Sequence, residues 1–278
     1  MTKELSLLKV GYCRHPEAMV TKGYSWKSIN FPAIVGLIKH PTQGYILFDT
    51  GYAKRFITET DQFPQRFYRM VTPMHLCDKE QLLFQLNHMG VAVEDIKHIF
   101  ISHFHADHIA GLLDFPSARY ICSREGLSSF QQRTGVRGLI KGYLTNLLPK
   151  DFSNRVLFIE DMKKNKLDNS LFPFTTAYDL FNDGACLAIN LPGHAYGHFG
   201  LVYYDNSRVN FLIGDACWTE DAYKKGFRPN PLTQLIMSDS ATYFNTIDKL
   251  GRLYGDNKEI VIIPSHCQNT YDRWRNEN

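Results

Sequence analysis

The feature that most constrains this chain is a cluster of four potential metal ligands within six residues. The run Ser102-His103-Phe104-His105-Ala106-Asp107-His108 follows a mainly apolar stretch, Ile96–Ser102, which predicts a buried strand. Side chains repeat every two residues in an extended segment, so His103 and His105 point the same way. Asp107 and His108, at the start of a predicted helix, can turn towards a neighbouring point. Because a zinc site uses three or four protein ligands, the cluster predicts two adjacent metals.

Three further ligand candidates follow predicted strands later in the chain. Cys186–Leu191 leads into His194, Val209–Ile213 into Asp215, and Ile260–Ile263 into His266. Rigid scaffolds present functional side chains on such strand-end loops. Taken singly, each of these residues could be an ordinary packed or surface side chain. Because all three directly follow a predicted strand, we favour one shared site. The predicted metal ligands are His103, His105, Asp107, His108, His194, Asp215 and His266.

The order of elements predicts a layered α/β architecture. Helices are predicted at Lys79–Met89, with Asp78 as N-cap, and at Ser238–Tyr254, and residues 123–148 are predicted to be mostly helical with breaks at Gly135 and Gly138. Predicted strands are Leu7–Cys13, Ala33–Ile38, Tyr45–Asp49, Ile96–Ser102, Arg119–Cys122, Arg155–Ile159, Cys186–Asn190, Phe199–Tyr204, Val209–Ile213 and Ile260–Ile263. Two rounds of strands and helix-and-strand units predict two sheets between helices. Without linkers or repeats, residues 1–278 are predicted to form one domain.

The composition indicates which binding partners and which cellular compartment to expect. The net charge of +3 does not suggest a nucleic-acid partner. No apolar run approaches the roughly 20 residues of a membrane span, and the N-terminus lacks a secretory apolar core, so no membrane partner is expected. The six cysteines are scattered without a C-x-x-C pair, which argues against a zinc ribbon or a thioredoxin site. Reduced, mostly buried thiols fit the cytoplasm.

The ligand pattern His103-x-His105-x-Asp107-His108, followed in order by His194, Asp215 and His266, resembles the metallo-β-lactamase superfamily. Phe48-Asp49-Thr50-Gly51 is similar to the D-T-G turn that those proteins carry upstream. The matches run from Asp49 to His266. This resemblance implies an αββα sandwich, with two mixed β-sheets flanked by helices. It also implies one metal at His103, His105 and His194, a second at Asp107, His108 and His266, and Asp215 bridging both.

The resemblance also implies hydrolysis by a metal-bridging hydroxide, since coordination to two cations lowers the pKa of water. A metal would polarise the scissile carbonyl. Asp107 and Asp215 are then the catalytic carboxylates, with Asp107 carrying a proton to the leaving group. Asp49 and His198 are expected to orient ligand imidazoles from behind. Zinc is the first expectation for both metals, and iron, manganese and cobalt suit the same ligands.

Within the superfamily, the chain resembles the N-acyl homoserine lactonase branch. True β-lactamases usually carry a cysteine where Asp215 stands, and Cys217 is expected to be a packed thiol. Glyoxalase II-like thioesterases carry a helical extension, for which the residues after His266 leave no room. The stretch Pro192–His198, P-G-H-A-Y-G-H, and the D-T-G turn are shared with the lactonases. The resemblance therefore implies a small-molecule substrate, the lactone ring of a quorum-sensing signal, and hence quorum quenching.

Four aromatic residues are predicted as substrate contacts, with ordinary core packing as the alternative: Trp26, Phe67, Tyr196 and Trp218. Trp218 stands where lactonases commonly carry a tyrosine, and an indole N–H can donate a hydrogen bond but is no phenolic acid. Tyr24, Tyr196 or Tyr223 could substitute. The spacing between His108 and His194 is also long, which suggests a partly helical insertion at about 130–183. It could cover the site, form a surface excursion or make a homodimer interface.

Two other functions stay open from the sequence. The same metal site could serve a hydrolase of another small ester, a thioester or a phosphodiester. Alternatively, the chain could be a non-hydrolytic metal-binding or redox protein, since flavodiiron proteins use a similar scaffold. Substrate panels would separate the first alternative from a lactonase. Iron content with oxygen-dependent activity would favour the second.

Overall fold

The computed structural model describes residues 4–205 and 208–277, and its first sheet contains seven strands. They are β1 (Leu5–Pro16), β2 (Ser28–His40), β3 (Gly44–Phe48), β4 (Met74–His75), β5 (Ile96–Phe100), β6 (Arg119–Cys122) and β7 (Val156–Phe158). Their spatial order is β4-β1-β2-β3-β5-β6-β7. The pairs from β4 to β3 are antiparallel, and those from β3 to β7 are parallel. The sheet is therefore mixed.

The second sheet contains six strands. They are β8 (Lys163–Lys166), β9 (Thr176–Asp179), β10 (Cys186–Asn190), β11 (Phe199–Tyr204), β12 (Val209–Gly214) and β13 (Ile260–Pro264). Their spatial order is β13-β12-β11-β10-β9-β8. Only β12 and β13 pair in parallel among the described strands of this sheet, so it too is mixed.

The helices are mostly short and lie between and after the strands. The α-helices are α1 (Glu17–Val20), α2 (Lys54–Glu59), α3 (Arg66–Val71), α4 (Leu82–His88), α5 (Ala106–Ile109), α6 (Arg124–Gln132), α7 (Gly135–Ile140), α8 (Phe152–Arg155), α9 (Glu220–Lys225), α10 (Ser240–Asp256) and α11 (Gln268–Glu277). Turns of 3₁₀ helix lie at Asp78–Glu80, Val93–Asp95, Leu112–Asp114, Thr145–Leu147, Ile159–Asp161, Asn169–Leu171 and Pro231–Leu235. Among the residues described, no helix is long and apolar enough to cross a membrane.

Three layers of buried apolar side chains hold the two sheets and the helices together. The middle layer joins the sheets, with Phe48 and Phe100 of the first against Leu201 and Leu212 of the second. On the outer face of the first sheet, a second layer includes residues of α2, α4, α6 and α8. On the outer face of the second sheet, α9 and α10 complete a third layer. The predicted αββα sandwich with two mixed sheets is confirmed.

Two predicted helix boundaries were wrong. The helix predicted from Lys79 begins instead at Leu82, because Gln81 has an extended backbone (φ −60°, ψ 135°) that separates it from a 3₁₀ turn. The predicted break at Gly138 lies inside α7. A Cβ at Gly138 would stand 2.2 Å from the Arg133 carbonyl oxygen, so this glycine permits a close backbone approach rather than a break.

The segment 130–183, predicted as a partly helical insertion, contains strands as well as helices. It carries α7 and α8, adds β7 to the first sheet, and adds β8 and β9 to one edge of the second. The strands β8 and β9 were not predicted. The β8 sequence Lys163-Lys-Asn-Lys166 is an exposed edge strand, and lysine-rich edges are a usual protection against pairing with other chains.

Candidate metal centre

The candidate ligands stand on loops that follow strands of both sheets. His103, His105, Asp107 and His108 follow β5 of the first sheet, and the last two lie on α5. The other three follow β10, β12 and β13 of the second sheet, namely His194, Asp215 and His266. A backbone hydrogen bond of 3.0 Å from Phe199 N–H to Ser102 C=O joins the two sets of loops. The strand ends of both sheets therefore converge on one site.

All seven candidate ligands come together in two neighbouring groups. In each group, one ligand atom per residue lies within 4.8 Å of the others: His103, His105, His194 and Asp215 in the first, and Asp107, His108 and His266 in the second. Six of the seven residues are buried, and the Asp107 side chain keeps 12% exposure. The grouping matches the division that the superfamily resemblance implies, and the ligand assignment itself stays a prediction.

Asp215 belongs to the first group and also contacts histidines of the second. Its Oδ2 is 3.1 Å from His194 Nε2, and its Oδ1 is 3.1 Å from His266 Nε2 and 3.3 Å from His108 Nε2. Each carboxylate oxygen thus faces a different group. A carboxylate placed in this way could bind a cation in each group.

The atoms of the site suit divalent cations. His103 Nε2, His108 Nε2 and Asp215 Oδ1 are buried without a hydrogen-bond partner among the described residues, which is costly unless something else satisfies them. Burial, reinforced by neighbouring imidazoles, holds the pKa of His103 and of His105 well below the ordinary value. At His108 and His266 burial acts in the same direction, but nearby carboxylates outweigh it and raise the pKa of both. Neutral imidazole is the form that binds metals. Five imidazoles and two carboxylates therefore fit a pair of zinc, iron, manganese or cobalt ions.

Two of the candidate ligand imidazoles are oriented by hydrogen bonds from their Nδ1 atoms to acceptors on the side away from the site. Asp49, in the left-handed region (φ 62°), places Oδ2 2.7 Å from His108 Nδ1. The same side chain accepts hydrogen bonds from Ser102 N and Oγ, both at 2.8 Å. His266 Nδ1 donates to the Pro32 carbonyl at 2.7 Å. In both histidines Nε2 is then left facing the site, and for Asp49 this geometry agrees with the role expected from the sequence.

The D-T-G turn also fixes the helix that carries two of the ligands. Thr50 N–H and Oγ1 both donate to the His108 carbonyl at 2.9 Å, and Thr50 Oγ1 accepts from Gly111 N–H. Gly51 (φ 65°) packs so closely that a Cβ would lie 2.5 Å from Val10 Cβ. The turn thus requires glycine there and clamps α5 against the first sheet.

His198 does not join either ligand group. Its Nε2 accepts the Asp215 backbone N–H at 3.1 Å, and its ring packs 4.9 Å from that of His103. Burial and the nearby His194 lower the pKa of His198 to about 3, so the ring is a neutral acceptor. His198 therefore holds the backbone of Asp215, whereas the sequence led us to expect it behind a ligand imidazole.

Trp218 contacts the ligand that faces both groups. Its indole Nε1 donates to Asp215 Oδ2 at 2.9 Å, and its ring meets that of His194 edge-on at 5.7 Å. The indole N–H is thus directed at a carboxylate of the site. Neither Tyr24, which donates to Asp221, nor Tyr223, which donates to the Ile262 carbonyl, takes its place.

An apolar cavity of about 580 Å³ opens above the two groups. Its floor includes Asp107, Asp215 and three ligand histidines, and its walls are mainly apolar. Of the four predicted substrate contacts, Phe67 and Trp218 line the cavity, whereas Trp26 and Tyr196 do not, and substrate contact by Phe67 and Trp218 stays a prediction. Trp26 is 65% exposed in the turn after α1, and Tyr196 lies under the Arg133 guanidinium at 4.4 Å. Those two predicted contacts are corrected accordingly.

Sequence reasoning missed two polar residues of the cavity wall, Cys13 and His15. They are two residues apart on β1 and so point to the same face. That alternation was visible in the sequence. The sequence does not show that this end of β1 lies beside the loop carrying His266, because that contact depends on how the two sheets pack.

The sandwich and its histidine–aspartate site define a protein of the metallo-β-lactamase fold. Residues 31–130 match the family model of the metallo-beta-lactamase superfamily.

Curated relatives add a more particular likeness. The chain is 26% identical over 245 residues to the N-acyl homoserine lactonase AttM of Agrobacterium fabrum, covering 86% of this chain and 82% of the relative. It is 22% identical to the N-acyl homoserine lactonase AiiB of the same organism, covering 96% and 94%.

Solved structures share the fold over nearly the whole chain. An N-acyl homoserine lactone hydrolase with the product N-hexanoyl-L-homoserine at its catalytic metal centre superposes with a TM-score of 0.73 at 19% identity, covering 98% of this chain and 96% of that one. AidC, a dizinc quorum-quenching lactonase, superposes with a TM-score of 0.65 at 17% identity, covering 95% and 87%.

Proposed function

We propose that this protein is a metal-dependent lactonase that opens the ring of N-acyl homoserine lactones, and so acts in quorum quenching. The observation that carries the proposal is a floor of metal ligands beneath the mainly apolar walls of a 580 Å³ cavity. Such a cavity suits a ligand with one polar reactive end and one apolar chain. The similarity to AttM and AiiB supports the choice of an acylated lactone.

The proposed cofactor is a pair of divalent metal ions, zinc before iron, manganese or cobalt. His103, His105 and His194 would hold one ion, Asp107, His108 and His266 the other, and Asp215 both. When bound, the ions supply Lewis acidity, which makes water a better nucleophile and the lactone carbonyl a better electrophile. The dizinc centre of AidC, on the same fold, supports zinc.

The protein's own residues then handle the proton and the geometry. Asp107 is the partly exposed carboxylate on the cavity floor, with Oδ2 3.3 Å from His266 Nε2. Its carboxylate accepts the proton of the attacking water and returns it to the ring oxygen as the acyl C–O bond breaks. The product carries one new hydroxyl and one new carboxylic acid, which ionises and releases the second proton of water to solvent. Trp218 and His198 keep Asp215 in place during this change.

The cytoplasm and a single domain are also part of the proposal. All six cysteines are unpaired, which suits a reducing compartment. The middle apolar layer is shared by strands of both sheets, which supports one folding unit over residues 1–278.

The test is ring opening of short- and long-chain N-acyl homoserine lactones, followed as acid release. Zinc-loaded protein, chelated protein and the Asp107→Asn variant are compared. We expect chelator-sensitive turnover with kcat/KM of about 10⁴ M⁻¹s⁻¹ or more, as for a natural enzyme–substrate pair. A fully metal-loaded protein that leaves every lactone intact, but cleaves a thioester or phosphodiester, would overturn the lactonase proposal.

A further inference from the structure

Three segments at the mouth of the cavity expose apolar side chains to solvent. They are residues 63–71, 135–141 and 231–237, together called the apolar rim. Phe67, Val136 and Leu232 line the cavity and are nevertheless 56%, 57% and 60% exposed. Lys141 Nζ joins two of the segments by donating to the Leu235 and Met237 carbonyls at 3.0 and 2.7 Å. The rim is therefore continuous with the cavity wall.

The concentration of exposed apolar side chains in the rim is unusual for a surface. Of the 16 large apolar side chains exposed in the described chain, nine lie in these segments: Phe63, Phe67, Met70, Val71, Val136, Ile140, Leu232, Leu235 and Ile236. Scattered exposed apolar residues need no explanation, but a large contiguous patch marks an interaction surface. The rim is thus a candidate docking surface around the entrance to the site.

The rim is also basic. Its three segments contain Arg66, Arg69, Arg137 and Lys141 and no Asp or Glu, so their charge of +4 exceeds the net +3 of the whole chain. Arg69 pairs with Asp61, which lies outside the rim. Within residues 4–205 and 208–277, Arg66, Arg137 and Lys141 make no ion pair, and Lys141 donates only to backbone carbonyls. The surface therefore combines apolar side chains with uncompensated cations.

We propose that the apolar rim docks on an anionic lipid bilayer. Apolar side chains flanked by Lys and Arg are the pattern by which surface elements enter the headgroup boundary of anionic membranes. A second copy of this chain suits the surface less well, because an isologous dimer would set the three unpaired cations Arg66, Arg137 and Lys141 against their own copies. The sequence predicts no membrane partner because it contains no spanning segment, and docking at a surface needs none.

Docking would place the cavity mouth against the lipid. On the proposed function, acylated lactones that dissolve in the bilayer would then enter the cavity with the lactone ring leading towards the floor and the acyl chain still in the apolar phase. Substrate entry from the bilayer rests on the lactonase proposal, whereas the docking proposal rests only on the apolar rim.

The test is co-sedimentation of the metal-loaded protein with vesicles, at about 0.1 M salt to limit screening. Vesicles of phosphatidylcholine alone are compared with vesicles containing about 30% phosphatidylglycerol. We expect binding to the anionic vesicles, weakened about fivefold in Arg137→Gln and about tenfold or more in Leu235→Ser.

The matched controls are Arg275→Gln on α11 and Phe84→Ser on α4, both exposed positions outside the rim and the cavity wall. Both should bind like the unaltered protein.

Three results would overturn the docking proposal: no vesicle binding, equal binding to both vesicle types, or equal weakening by rim and control variants. A dimer in sedimentation velocity that Leu235→Ser dissociates would overturn it in favour of a second copy. Hydrolysis of a short, water-soluble lactone without vesicles tests the lactonase proposal separately. The two proposals can therefore fail independently.

Discussion

At the scale of single residues, the candidate centre depends on side chains that are not ligands. Trp218 Nε1 donates to Asp215 Oδ2, and a hydrogen bond to a charged group contributes about 1.5–3 kcal/mol. We expect Trp218→Phe to lose this hydrogen bond while its smaller ring stays packed near His194 and Tyr243. The kcat for a soluble lactone should fall about tenfold to a hundredfold, while metal content by elemental analysis stays the same.

Trp218→Tyr, which restores a donor, should recover part of that loss. The matched control is Trp274→Phe on α11, since Trp274 is similarly buried (6% against 9% exposure) and does not line the cavity. An unchanged kcat in Trp218→Phe, or an equal loss in the Trp274 variant, would contradict a positioning role for Trp218.

Asp49 gives a second prediction at this scale, because its carboxylate sets the orientation of His108. We expect Asp49→Asn to weaken metal binding about tenfold to a hundredfold, as is typical when the acceptor behind a ligand imidazole is altered. Competition with a chromophoric chelator measures this affinity. Asp179→Asn is the control, since Asp179 is a buried aspartate on β9 that accepts backbone N–H groups away from the site. Equal metal affinity in both variants would refute the role of Asp49.

At the scale of elements, the turn between β10 and β11 is held against the start of α10. Gly193 adopts φ +121°, and a Cβ there would lie 2.1 Å from Tyr243 N. Gly193→Ala should therefore lower the free energy of unfolding by about 3 kcal/mol or more, from backbone strain and steric overlap together. Gly184→Ala tests the first cause, since Gly184 has φ +77° and a Cβ there would meet no other described residue within 4 Å, and it should cost about 1 kcal/mol. Urea unfolding would compare them, and equal losses would exclude the steric overlap.

The sequence predicted those elements whose local pattern agrees with their packing. The strands leading to the ligands are mainly apolar and largely buried, and β5, β10, β12 and β13 lie where they were expected. The strand β8 shows no alternation of apolar and polar residues. It is held by antiparallel pairing with β9 and packs no side-chain face against the core. Trp26 was misplaced for a related reason: its aromatic character suggested the cavity, but the turn that carries it faces solvent. The candidate ligands could be predicted because they lie in local sequence motifs. The residues of the cavity wall could not, because they come together only when distant segments pack.

At the scale of the molecule, the candidate centre joins the two sheets. Four of its residues follow a strand of the first sheet, and three follow strands of the second. The middle apolar layer holds the same two sheets by burial alone. A cation at the site would thus add a polar connection at one end of an interface that is otherwise apolar, and site occupancy should be coupled to the stability of the whole fold.

This coupling yields a prediction for metal removal. Ions that bind only the folded chain stabilise it by about 4 kcal/mol when their concentration is a thousandfold above Kd. For a chain of this size, that corresponds to a shift in Tm of about 10 °C. We expect chelated protein to unfold at a correspondingly lower temperature in scanning calorimetry, and added zinc to restore the original Tm. Asp215→Asn, which alters the residue facing both groups, should respond much less to zinc. A Tm that is the same with and without metal would show that the two sheets hold together independently of the centre.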